Sequence, residues 1–71
     1  MDITPQEMHS LGKKYAQAGL KLIPKDCKPI DDAIFAAISG TTGAARAKAY
    51  NALRGAFNKG WCAEYARMVS A

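Results

Sequence analysis

The sequence has no run of about twenty apolar residues, the length a helix needs to cross a bilayer. It also lacks a basic segment followed by an apolar core near its start. We therefore expect neither a membrane span nor a signal peptide, and a cytoplasmic location is the default. No alternation of apolar and polar residues is long enough to predict a β-strand, and there is no internal repeat. An all-α fold is the expected class.

Residues that could support catalysis or bind a metal are few. The only histidine is His9, and the two cysteines, Cys27 and Cys62, lie 35 positions apart without CxxC spacing. The sequence predicts no metal site and no cofactor. A disulfide between the two cysteines is geometrically possible, but the spacing favours two free thiols, with Cys62 as a buried apolar residue. Asp31 and Asp32 would point about 100° apart on a helix, which disfavours an acid/base pair. We expect no enzymatic activity.

The chain has 71 residues, of which 49% are apolar and 23% charged. These values are typical of a folded globular domain and argue against a disordered chain. The length is close to the lower limit at which one hydrophobic core keeps a chain folded. We expect a single small helical domain over residues 1–71, with modest stability or a core shared in a dimer.

Positive charge is concentrated in the last third of the chain. The net charge is +4, to which residues 1–22, 23–41 and 42–71 contribute about +1, −1 and +4. A basic region of this kind favours nucleic acid, ribonucleoprotein or an acidic protein surface as partner.

The apolar periodicity predicts a small bundle of three to four helices. They cover about residues 4–22, 29–39, 42–58 and 61–70, and the last two could be one kinked helix. Gly60 decides between these alternatives, because it can end a helix in a left-handed cap or lie within a continuous one.

The start of the first helix has a complete capping signature. Thr4 can accept from the amide of Glu7, Glu7 can reach back to the amide of Thr4, and Pro5 suits the first helical position. Ile3 can pack on Met8 as a hydrophobic staple. This is the best defined helix boundary in the sequence.

Small residues, Gly12, Ala16 and Gly19, lie beside the apolar stripe of the first helix. They would let a second helix approach closely, although a glycine inside a helix costs up to ~1 kcal/mol relative to alanine. The helix should end by Leu22, because the residue before Pro24 is pushed toward extended geometry.

The second helix is predicted to begin at Pro29. Asp31 and Asp32 would then lie where the helix dipole favours carboxylates. Gly40 is placed as its C-terminal cap, and Thr41 or Thr42 as the N-cap of the third helix. The turn that these residues form lacks the lysine and spacing of a phosphate-binding loop, so we interpret it as a turn and a cap.

The candidate nucleic-acid-binding residues are Lys48, Arg54, Lys59 and Arg67. On a helical wheel the first three share a broad polar arc with small residues between the charges, which would allow close approach to a phosphate backbone. No helix-turn-helix spacing accompanies them, and an ordinary solvated helix face is the alternative.

Three aromatic residues are candidates for a partner-binding site. Phe35 projects about 100° from the apolar stripe of its helix, so it either packs on the preceding connector or contacts another molecule. Trp61 and Tyr65 could form an exposed anchor. Core packing of these two rings is the favoured alternative, because so short a chain needs them inside.

Three segments resemble ribosome modulation factor and its small phage and bacterial relatives. Residues 15–20 (YAQAGL), 26–29 (DCKP) and 54–61 (RGAFNKGW) match a Tyr-Gln-Ala-Gly-type segment, a Cys-Pro connector and an aromatic residue followed by Gly-Trp. Lys28 interrupts the Cys-Pro pair, and residues 30–50 would be an insertion. The resemblance implies binding to the ribosome or RNA through basic residues, without a cofactor.

Two hypotheses of function follow. The first is a small, basic, non-enzymatic regulatory protein that contacts nucleic acid or ribonucleoprotein through its C-terminal helical third. The second is a protein-binding inhibitor or adaptor of the kind that mobile elements encode. It would not bind nucleic acid, and it could form a homodimer through the small-residue seam or Phe35.

Overall fold

A computed structural model describes residues 3–70, which form three α-helices and no strand. They are α1 (Pro5–Gln17), α2 (Pro24–Ala37) and α3 (Gly43–Ser70). The all-α prediction is confirmed, and the number of helices is three. The predicted third and fourth helices are one continuous helix through Gly60. None of the helices in the described range combines the length and apolar character needed to cross a membrane.

The capping signature at the start of α1 is confirmed. The Thr4 hydroxyl accepts from the amide of Glu7 at 3.2 Å, and the Glu7 carboxylate accepts from the amide of Thr4 at 3.4 Å. Pro5 is the first helical residue. Met8 is fully buried, and Ile3 packs against the cluster that contains it. The local sequence therefore defines this boundary as expected.

The end of α1 differs from the prediction, because the helix stops at Gln17 and does not reach Leu22. Gly19 follows with a φ of 81°, and the amide of Leu20 donates to the carbonyl of Tyr15 at 3.0 Å. This is a Schellman cap, in which glycine adopts the left-handed conformation without steric cost. Gly19 therefore ends the helix and is not part of a packing seam.

The start of α2 also differs from the prediction, because it begins at Pro24 and Pro29 lies inside it. Ile23 is extended, with φ −113° and ψ 154°, as a residue before proline requires. The carboxylate of Asp26 accepts from the amide of Lys21 at 2.9 Å and so ties the connector to the first turn. The helix dipole therefore favours Asp26 rather than the pair at positions 31 and 32.

Asp31 and Asp32 lie in the middle of α2 as a consequence. Asp32 forms an exposed ion pair with Lys28 one turn earlier, at 2.9 Å. Asp31 contacts α3 instead. The prediction of a first-turn role was wrong because it took Pro29, and not Pro24, as the first helical residue.

The turn between α2 and α3 also differs from the prediction. α2 ends at Ala37, and the glycine with positive φ is Gly43, at 58°, and not Gly40. The Thr41 hydroxyl donates to the carbonyl of Ile38 at 2.6 Å. Thr41 therefore closes this turn and does not cap α3. Thr42, the other predicted N-cap, directly precedes α3, and its carbonyl accepts from the amide of Arg46 at 3.3 Å.

α1 and α3 run in the same direction. The backbone of His9 lies against Gly60, and farther along both helices Gln17 contacts Glu64. α2 runs in the opposite direction, since contacts from successive turns of α2 fall on successively earlier residues of α3. The buried core between the helices comprises Met8, Cys27, Ile30, Ile34, Ile38, Leu53 and Phe57.

Two glycines let α1 and α3 touch backbone to backbone. A Cβ at Gly12 would lie 2.7 Å from the amide nitrogen of Trp61, and one at Gly60 would lie 2.8 Å from the carbonyl carbon of His9. Both separations are too short for real carbon contacts. Gly12 and Ala16 are buried within the single chain, so this seam is not exposed to a second copy.

Candidate functional site

Lys48 and Lys59 lie exposed on the solvent side of α3. Their spacing of eleven positions places them about 20° apart around the helix and ~16 Å apart along it. Within residues 3–70 neither lysine forms an ion pair. Both ammonium groups are therefore available to a polyanion from the same side of the molecule. We call this side the lysine face.

An open groove of about 480 Å³ lies between α1 and α3 beside the lysine face. A Cβ at Gly55 would have no heavy atom within 4 Å, so the space above it is open. The groove is lined by Pro5, Gln6, His9, Asn51, Ala52, Gly55, Ala56 and Lys59. The small side chains make the floor accessible, while the amide, imidazole and ammonium groups offer hydrogen-bond donors. This chemistry suits an anionic chain such as a phosphate backbone.

Arg54 lies elsewhere, because its six-residue separation from Lys48 corresponds to about 120° around the helix. Its guanidinium forms an ion pair with Asp31, and its Nε donates to Asn58 at 3.2 Å. Only 17% of the Arg54 side chain is exposed. The Tyr50 hydroxyl donates to the same Asp31 carboxylate at 3.0 Å, and burial together with Asp31 raises the pKa of Tyr50. Arg54 therefore joins α2 to α3.

Arg67 is paired with Glu64 one turn earlier on α3. Its Nε and Nη2 donate to the two carboxylate oxygens at 2.6 and 3.1 Å, and the Gln17 side chain of α1 donates to the same carboxylate. Hydrogen bonds from Arg67 and Gln17 lower the pKa of Glu64 to about 2. The Arg67 side chain is 67% exposed, but its positive charge is balanced locally.

We expect the protein to lose stability in acid, because Arg67 and Gln17 bind the ionised carboxylate of Glu64. The folded chain holds the carboxylate at a pKa of about 2, below the ordinary value of 4.5. The unfolded chain therefore binds the proton at higher pH, so this stabilisation is complete above about pH 5 and is lost progressively as the pH falls toward 2. We expect the Tm, followed by circular dichroism, to fall across this window.

Glu64→Gln should remove part of that pH dependence and lower the Tm at neutral pH. Asp32→Asn is the matched control, because its carboxylate is exposed and paired only with Lys28. A Glu64→Gln protein whose Tm varies with pH as steeply as that of the wild type would contradict the assignment.

Phe35 packs on α3 and not on the connector. Its ring stacks on Tyr50 with centroids 5.4 Å apart and planes 23° apart, and the Arg46 guanidinium lies 5.6 Å from its centroid. The connector alternative is therefore wrong. Since 46% of Phe35 is exposed, contact with another molecule stays a prediction.

Trp61 and Tyr65 stack on each other, with centroids 4.9 Å apart and planes 11° apart. The indole N–H of Trp61 donates to the carbonyl of Leu20 at 2.8 Å, which holds this ring against the connector. Tyr65 is 49% exposed. The expectation that both rings belong to the core is wrong for Tyr65, and Trp61 is only partly buried.

The exposure of these rings follows from one row of apolar residues on α3. Leu53, Phe57, Trp61, Tyr65 and Val69 recur every fourth position, and each step advances ~40° around the helix. The exposed fraction is 7% at Leu53 and 0% at Phe57, but 64% at Val69. The row is therefore buried at Leu53 and Phe57 and exposed to solvent at the C-terminal end of α3.

The prediction that Cys62 is a buried apolar residue is wrong. Cys27 is buried, with its Sγ 3.5 Å from the carbonyl of Lys21, whereas Cys62 is exposed, and both are free thiols. Cys62 lies on the side of α3 opposite the core. In the part of the chain that the structure describes, no three His, Cys, Asp or Glu side chains converge on a possible metal site.

Several groups of the site lie outside the sequence predictions. Gln6 and His9 are three positions apart, a spacing that places them on one polar flank of α1. The i,i+3 spacing of Glu64 and Arg67 indicates their ion pair without any tertiary information. The partner of Asp31 had no local signal, because Arg54 lies on another helix.

Comparisons with protein-family models, curated proteins and solved structures found no match to this chain.

Proposed function

We propose that this protein is a small, non-enzymatic regulator that binds nucleic acid or ribonucleoprotein through the lysine face and the adjoining groove. The observation that carries the proposal is the exposure of Lys48 and Lys59 on one side of α3, without an ion pair in residues 3–70. Two ammonium groups in this arrangement can each neutralise a phosphate and release bound counterions.

The groove lets a bound nucleic-acid backbone approach the protein surface closely in the region between Lys48 and Lys59. Gly55 has no side chain and Ala52 has only a methyl group, so neither holds a nucleic-acid backbone at a distance. Gln6 and Asn51 provide amide donors for phosphate or sugar oxygens. These groups carry little sequence information. The expected mode of binding therefore depends on charge and shape more than on base identity.

The four basic residues have unequal roles in this proposal. Lys48 and Lys59 contact the polyanion directly. Arg67 contributes less, because Glu64 balances its charge. Arg54 acts through the fold, since its guanidinium is paired with Asp31. The resemblance to ribosome modulation factor points to the same class of partner.

Fluorescence anisotropy with labelled RNA and DNA oligonucleotides, measured over a range of salt concentrations, tests this proposal. Replacing both Lys48 and Lys59 with alanine should weaken binding by at least about tenfold and reduce the slope of log K against log salt by about 2. The effect should be similar for different sequences, because phosphate contacts carry no base information.

The matched control is the double replacement of Lys21 and Lys25 with alanine. It removes the same charge from two exposed lysines of the connector and α2 that, like Lys48 and Lys59, form no ion pair within residues 3–70. Equal weakening by both double variants would mean that net charge alone drives binding. Absence of binding to RNA and DNA at low salt would also refute the proposal.

A further inference from the structure

The C-terminal end of α3 presents an apolar surface that the fold leaves uncovered. Tyr65, Met68 and Val69 are 49%, 40% and 64% exposed. The stack with Trp61 fixes Tyr65, and the hydrogen bond to Leu20 fixes Trp61 in turn. We call Trp61, Tyr65, Met68 and Val69 the α3 patch. Contiguous exposed apolar residues of this kind on a small soluble domain mark an interaction surface.

The spacing within the α3 patch is that of a helix-packing seam. Positions 61, 65 and 68 are separated by four and three residues and therefore lie on one side of the helix. Gln17, the last residue of α1, contacts Glu64, so the ~9 Å of α3 that follow extend past the end of α1. A helix from another molecule can therefore lie along this segment.

The electrostatics of the segment favour an uncharged, apolar partner surface. The charges in residues 60–70 are those of Glu64 and Arg67, which are paired with each other. Lys13 of α1 also interacts with the Glu64 carboxylate. Two copies can therefore meet along residues 60–70 without an unpaired charge of α3 between them. The lysine face lies on another side of α3, since Lys59 is about 160° from Trp61 around the helix.

We propose that the α3 patch binds the same patch of a second copy, so that two α3 helices cross antiparallel about a two-fold axis near Tyr65. An isologous contact is self-complementary: each Trp61 would face the partner's Met68, a pairing of thioether and aromatic ring that is favourable. The dimer leaves the lysine face and the groove of each copy accessible. The inference does not depend on nucleic-acid binding.

A shared apolar contact also fits the shape of the single chain. Its radius of gyration is 12.5 Å, whereas a compact domain of this length has about 11 Å. The long axis is 42 Å, which matches the ~42 Å expected of a 28-residue helix. A second copy that packs on the C-terminal end of α3 would cover apolar surface that the other helices of the monomer do not reach.

Sedimentation equilibrium of the full chain, free of nucleic acid and at ~1 µM to ~1 mM, tests the dimer. Wild type should show a reversible monomer–dimer equilibrium that added salt does not weaken, because the interface is apolar. Trp61, the only tryptophan, should shift its fluorescence to shorter wavelength as the dimer forms.

Met68→Lys should weaken dimerisation by at least about 100-fold, because it would bury an unpaired charge. Ala66→Lys is the matched control, since it adds the same charge within the same turn of α3 at an exposed position on another side. It should leave the equilibrium unchanged, and both variants should keep the wild-type helical content. A wild type that stays monomeric to ~1 mM, or equal effects of the two variants, would overturn the proposal.

Discussion

Gly60→Ala is expected to destabilise the protein by about 3 kcal/mol or more, enough to leave much of it unfolded at 37 °C. A Cβ at this position would overlap the backbone of His9, with 2.8 Å to its carbonyl carbon. Overpacking usually costs about 1–3 kcal/mol because side chains can rotate away. Here both partners are helix backbone, so α1 and α3 would have to separate as rigid bodies.

The same loss is expected for Gly12→Ala, whose Cβ would lie 2.7 Å from the amide nitrogen of Trp61. A domain of this size has a total stability of only about 4–10 kcal/mol. Urea unfolding followed by circular dichroism measures the effect. The thiol of Cys27 gives a second readout, because it is buried in the fold and should react only on unfolding.

Gly55→Ala is the control for both glycines, because it makes the same substitution on α3 where a Cβ would meet nothing within 4 Å. It should stabilise the protein by about 0.5–1 kcal/mol through helix propensity alone. A Gly60→Ala protein as stable as the wild type would show that α1 and α3 do not touch at this crossing.

Phe57→Ala is the second substitution with a large expected effect, a loss of about 3–5 kcal/mol. The ring is fully buried and meets that of Tyr15 edge to face, with centroids 5.2 Å apart. The Arg54 guanidinium lies 5.7 Å from its centroid. Removing the ring leaves a cavity where α1, α2 and α3 meet, and the helices cannot close it without disturbing the glycine crossing.

Phe35→Ala provides the matched control, because it deletes the same side chain at a position that is 46% exposed. Its expected cost is about 1 kcal/mol, mainly the lost stacking on Tyr50. Denaturant unfolding of the two variants against wild type gives the comparison. Similar losses for Phe35→Ala and Phe57→Ala would contradict the placement of the core.

α3 carries three distinct surfaces. The side toward α1 and α2 supplies Leu53 and Phe57 to the core, another side presents Lys48 and Lys59, and the C-terminal end exposes the α3 patch. A substitution in one of these regions can therefore be tested for its effect on the others. The substitutions at Lys48, Lys59 and Met68 should affect binding or association without lowering the stability of the monomer.

The sequence by itself determined what depends on residues a few positions apart. The reciprocal hydrogen bonds of Thr4 and Glu7 need only the first turn of α1, and they were predicted correctly. The helical class followed from apolar periodicity. Concentration of charge in residues 42–71 is a property of composition. None of these features requires a partner from another helix.

The tertiary structure decided which helix lies beside which, and that changed the interpretation of individual residues. Arg54 does not belong to the predicted basic surface, because α2 places Asp31 beside it. Tyr65 is exposed because α1 ends at Gln17 and does not reach the turn of α3 that contains Tyr65. Neither outcome has a local signal, since each depends on where another element stops or packs.

Two glycines show this division most clearly. Gly19 ends a helix, whereas Gly60 lies inside one, although both follow an apparently continuous helical pattern. A Cβ at Gly19 would meet no atom within 4 Å, so close packing does not require glycine there. The positive φ of the left-handed cap does. At Gly60 the backbone of His9 lies where a Cβ would be, so the absence of a side chain lets α1 contact α3. The neighbouring helix, which no local pattern specifies, decides between the two.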